Sequence, residues 1–302
     1  MIILMGTSEA SGQSSAASNS LRQVMRKHPL FFFFFMAYAF SWIILIPYVL
    51  SAWGIIAGDF TFIFALHTFG PALAAIIMTS VIEGKAGLLR LWSRIRQWRA
   101  GWQWYLFSLL GIPALLLIGI IIQPGALASF HGLPPLLFSV VYYLVNFVLV
   151  FFLGGPLGEE IGWRGFALPR MQPRYGPLWG TLLLGVLWVF WHLEDFLTPV
   201  HGSFLTNFPI FFLAVIAVAI IFTWVFNHTR GSIFISILAH ASIDTPELAL
   251  VPLFLVVDQT SLTLAGLIGF GVPALLILIL TRGRLGYQPN RATAMRPREI
   301  EG

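Results

Sequence analysis

An all-α, polytopic membrane protein of about eight transmembrane helices, with both termini cytoplasmic, is the fold this sequence predicts. Three observations predict it. Hydrophobic residues make up 58% of the 302 and charged residues only 10%, with a mean hydropathy of +0.86. So small a polar share cannot cover a water-facing surface. Eight stretches are each about 20 apolar residues long, enough to cross a hydrocarbon core of roughly 30 Å. All 17 lysines and arginines fall in the tails or in alternate loops, and the loops between spans 1–2, 3–4, 5–6 and 7–8 hold none. The positive-inside rule then assigns one face to the cytoplasm, and the basic pI near 9.9 is topology rather than nucleic-acid binding.

The elements follow in order. Residues 1–28 are rich in Ser and Ala and then basic, which reads as a disordered tail. The apolar run from Pro29 to Ile55 is too long for a signal-peptide core and lacks a small-residue cleavage site, so a first span over about 31–52 is expected. The second span covers about 61–82. After it, "EGKAGLLRLWSRIRQWRAG" (83–101) sets Leu88, Leu89, Leu91, Trp92, Ile95 and Trp98 at helical intervals among arginines. That pattern predicts an amphipathic helix on the membrane surface. Further spans lie at about 103–123, 136–155, 178–196, 208–227, 232–252 and 262–281, followed by a basic tail over 283–302. One membrane domain, 29–282, accounts for the chain, and 156–245 is its chemical core. No cysteine is present, which excludes disulfides, thiolate nucleophiles and thiolate metal sites.

Within that core stands "PLGEEIGWRG" (156–165). An ionisable side chain within a span costs roughly 2.5–3.5 kcal/mol on insertion scales and is by default a functional hypothesis. Glu160 and Arg164 are four residues apart on one helix face, where an ion pair forms, leaving Glu159 to point elsewhere. "QPRYGP" (172–177) reads as a turn, making 157–171 and span 5 an antiparallel pair. Glu159 and His192 lie about equally far from that turn and reach similar depth, roughly 24 Å at 1.5 Å per residue. A kink is expected at Gly154-Gly155-Pro156, where proline removes a donor. In span 7, His240 and Asp244 share a helix face, with Asp244 placed to orient the imidazole. This set suits water activation: Glu159 and His192 hold and deprotonate a water, and His240 with Asp244 stabilises the oxyanion formed at a carbonyl. Glu159, His192 and His240 are also a donor set for zinc with an open position, although no HExxH helix favours the metal.

These residues carry a resemblance. "EEIGWR" resembles the EExxxR motif of the CAAX-protease and bacteriocin-processing family of intramembrane proteases. "WVFWH" is similar to that family's FxxxH motif, with Trp188 where phenylalanine is usual; the change keeps an aromatic. "TRGSIFISILAHASID" resembles its later HxxxN/D region. The likeness covers about 156–245. It implies that Glu159 is the general base, that His192 helps bind the attacking water, that His240 and Asp244 act at the oxyanion, and that Glu160 and Arg164 hold the site together. It implies an endopeptidase in a cell or inner membrane, opening to the cytoplasm, with a hydrophobic or lipidated peptide as substrate and membrane lipid as surroundings. The metal-free mechanism is preferred, with zinc as the alternative.

Other readings are a proton-coupled transporter, which uses the same intramembrane side chains, and a non-catalytic immunity or scaffolding member of the family. A carrier calls for charged, broken helices in both halves, and the first half of this chain holds almost none. His67 in "FALHTFGPAL" reads as a helix-packing residue. Glu194 and Asp195 read as an exposed patch at the outer end of span 5. His28, His131, His201 and His228 read as solvated.

Overall fold

The computed structural model describes residues 20–198 and 202–289. The outermost parts of both tails and His201 lie outside that range. The described residues are helical without strands, and eight of their helices are long and apolar enough to cross a membrane. In chain order they are α1 (Pro29–Ala52), the short α2 (Thr61–His67), α3 (Gly70–Ile95), α4 (Trp102–Ile121), α5 (Leu136–Leu153), α6 (Pro156–Gly162), α7 (Leu168–Tyr175), α8 (Pro177–Trp191), α9 (Phe204–His228), α10 (Ile233–Ala249) and α11 (Gln259–Thr281). The apolar runs become helices because each must satisfy its own backbone in hydrocarbon.

The structure refines two expectations in detail. The amphipathic stretch is helical as expected and follows the span directly within α3, set off from it at Gly84, whose φ of 61° breaks the helical path. Leu89, Trp92 and Trp98 are exposed as a surface helix requires, yet Arg94 is half-buried. It donates to the carbonyls of Arg164 (2.9 Å), Gly165 (3.0 Å) and Gly231 (3.1 Å). The 172–177 turn is also shorter than its composition suggests. Helix α7 runs to Tyr175, Gly176 alone reverses the chain at φ 80°, and Pro177 starts α8. Glycine tolerates that angle, and proline suits a first helical position.

The kink before α6 lies where Gly154-Gly155-Pro156 predicts it. Gly155 takes φ 116°, and Pro156 opens the new helix. Helix α6 then leads into a π-helical turn over 163–167 before α7 resumes. Gly158 and Gly162, four apart, set the α6 backbone directly against the α2–α3 junction. A Cβ on Gly158 would lie 2.3 Å from the Thr68 carbonyl oxygen, and one on Gly162 2.4 Å from Pro71 Cβ. Small residues at this spacing let helices approach closely.

Helix α5 lies at the periphery, with Val150 its one buried side chain, whereas α9 and α10 are enclosed by neighbours. The arginines gather at one end. Arg90, Arg94, Arg170, Arg174 and Arg230 line a single cavity of about 650 Å³ there together with Glu83, which pairs with both Arg90 (2.7 Å) and Arg170.

Candidate active site

Three stretches bring their polar side chains together in the interior. The restart at Pro156 places Glu159 in the first turn of α6, where the helix dipole favours a carboxylate. Helix α8 delivers Trp188 and ends at Trp191, so His192 is the first residue of a 3-10 turn, His192–Leu197. Helix α1 holds that end: Trp42 Nε1 donates to the Trp191 carbonyl (3.1 Å), and the Tyr38 hydroxyl donates to that of Leu187. Helix α10, capped by the Ser232 hydroxyl, carries His240 and Asp244 inward.

Glu160 and Arg164 form the expected pair at 2.7 Å, both wholly buried. The guanidinium also lies over the rings of Trp188 (4.6 Å) and Phe222 (5.0 Å), an attraction that strengthens on desolvation. Glu160 Oε1 accepts a second bond, from His240 Nδ1 at 2.9 Å. Glu160 therefore orients His240. Asp244, expected in that role, lies 3.7 Å from Nε2, too long for a hydrogen bond. With Nδ1 engaged, the ring presents Nε2 toward Asp244.

Glu159 is 3% exposed. Its Oε2 accepts from the indole N–H of Trp188 at 2.6 Å and that of Trp163 at 3.2 Å. The rings of His192 and His240 both pack against Trp188, with centroids 6.1 and 5.4 Å away. Glu159, His192, His240 and Asp244 are within electrostatic reach of one another. Trp188 thus stands at the centre. A buried indole N–H seeks an acceptor, so tryptophan at this position does more than keep the aromatic character of phenylalanine.

Sequence reasoning missed a second layer. Glu194 and Asp195 are buried, at 4% and 2% exposure, and not an exposed patch, because the 3-10 turn folds them back under α8. Asp195 Oδ2 accepts from His192 Nδ1 at 2.9 Å, which fixes the imidazole as carboxylates do in metal and triad sites. His67, buried at the end of α2, stacks on Trp191 with centroids 5.3 Å apart. The available signal was "HLED", two acids within three residues of a histidine.

Glu159, His192 and His240 have donor types that suit zinc. Among the described residues the His and carboxylate atoms that converge, within 4.8 Å of one another, belong to His67, Glu194 and Asp195.

Residues 141–245 match the family model described as Type II CAAX prenyl endopeptidase Rce1-like. The chain is also similar to CAAX prenyl protease 2 of Methanococcus maripaludis, with 31% identity over 144 residues, covering 44% of this chain and 51% of that protein. The chain thus spans about half the length of this curated relative. The segment that matches this family model carries Glu159, His192, His240 and Asp244.

Proposed function

We propose that this chain is an intramembrane endopeptidase of CAAX-protease type, cleaving a hydrophobic or lipidated peptide with a water activated by Glu159 and His192. The observation that carries the reading is the gathering of Glu159, His192 and His240 around Trp188 inside the family-matched segment. Water binds between Glu159 and His192. Glu159 takes one proton as the oxygen attacks the scissile carbonyl. The resulting oxyanion accepts from Nε2–H of a His240 that carries protons on both ring nitrogens, its Nδ1–H donating to Glu160 and its charge balanced by Glu160 and Asp244. When the intermediate collapses, the C–N bond breaks and the departing amine takes the proton held by Glu159. No step requires a metal at the reacting carbon. The arginines gathered at one end support a cytoplasmic mouth.

General-base catalysis contributes typically 10²–10⁴-fold. Glu159→Gln and His192→Ala should each lower cleavage of a reporter peptide in liposomes by roughly that factor while thermal stability survives. Wild-type rates in either variant would overturn the reading. Comparing membrane peptides from cells that carry the wild type with those that carry Glu159→Gln identifies the substrate.

A further inference from the structure

We propose that His67, Glu194 and Asp195 form a second, structural site for a divalent transition-metal ion, zinc by its donor set, which anchors His192 through Asp195. The inference is separate from the protease reading. Its first support is the orientation of His67. Nδ1 points at the Phe64 carbonyl, which can only accept, so Nδ1 carries the proton. In the neutral ring Nε2 then holds a lone pair, the arrangement that metal-ligating histidines adopt when a backbone carbonyl fixes the tautomer. That nitrogen lies 3.5 Å from Glu194 Oε1 and 3.9 Å from Asp195 Oδ1.

The second support is independent. Glu194 is 4% exposed, and neither of its oxygens has a hydrogen-bond partner. Among the described residues no arginine or lysine pairs with it. A buried carboxylate in that state is costly, and a cation between it and His67 removes the cost. The spacing suits such an ion: zinc bonds of about 2.0–2.1 Å set tetrahedral ligand atoms roughly 3.3 Å apart. One oxygen each from Glu194 and Asp195 with His67 Nε2 gives three donors, and a water completes the tetrahedron. Imidazole with two carboxylates suits zinc first and manganese next. Asp195 would hold the ion with Oδ1 and His192 with Oδ2, so the ion would stiffen the shell around the reacting centre without touching the substrate.

The test is metal content of the full chain, purified without chelator or histidine tag and measured by mass spectrometry. The wild type should carry about one zinc or manganese per chain. Glu194→Gln and His67→Gln should lower it at least tenfold, while Glu159→Gln and His240→Ala leave it unchanged. Wild-type protein stripped with EDTA should lose thermal stability and regain it with zinc chloride, and cobalt(II) should give the visible bands of a tetrahedral site. If either variant fails to fold, the strip and add-back measurement decides alone. A wild type with neither metal nor thermal response overturns the proposal and leaves a proton-bridged charge cluster. Metal lost in Glu159→Gln and His240→Ala but kept in Glu194→Gln overturns it too, placing the ion at the reacting centre. Peptidase assays are not used, so either failure leaves the protease reading standing.

Discussion

Two side chains set the properties of the site at the residue scale. Trp188 is the hub, because it donates to Glu159 and packs both imidazoles. Trp188→Phe keeps the ring and deletes the donor, leaving Trp163 as the remaining indole on Glu159. We expect kcat to fall roughly 10- to 100-fold with KM nearly unchanged, since one hydrogen bond to a charged group is worth roughly 1.5–3 kcal/mol; steady-state cleavage kinetics check it. Arg164 is different in kind. It is wholly buried against Glu160, and breaking such a pair by removing one partner costs roughly 3–5 kcal/mol. Arg164→Met should therefore lower the unfolding temperature markedly in a detergent melt. The double variant Arg164→Met with Glu160→Met should recover most of that stability but little activity, because His240 loses the acceptor on Nδ1.

At the scale of elements, close approach at Gly158 and Gly162 seats the short helix α6 against the α2–α3 junction. Gly162→Val would drive a branched side chain into Pro71, and no rotamer escapes a clash that begins at Cβ. The expected outcome is loss of folded protein from the membrane, read by yield and by size-exclusion profile, whereas Gly266→Ala, with only an alanine methyl at 3.9 Å, should be tolerated. The apolar runs and the i,i+4 spacing of Glu160 and Arg164 were legible in the sequence because both are local facts. The π-helical turn at 163–167 and the inward fold of "HLED" were not, because each depends on partners that distant residues supply. Composition made Glu194 and Asp195 read as exposed, since a helix end with two acids usually is. It made all of 172–177 read as the turn, although Gly176 alone was enough to reverse the chain.

For the whole molecule, the charge pattern carries the prediction. Arginines from the loops after spans 2, 4 and 6 meet around one cavity, so these loops share a side of the bundle. The chain has no cysteine, so single cysteines report topology cleanly. Ser20→Cys and Arg174→Cys should label with an impermeant maleimide only from the cytoplasm, and Gly125→Cys only from outside; the reverse pattern would invert the proposed orientation. The eight-span architecture was readable in advance because a bilayer demands long apolar helices, while the way they nest was not. The pairing of Glu160 with Arg164 bears on synthesis as well. Both groups emerge from the ribosome within one turn of each other, and His240 follows 80 residues after Glu160. The nascent segment can thus enter lipid already neutralised, long before the helix that completes its hydrogen bonding exists.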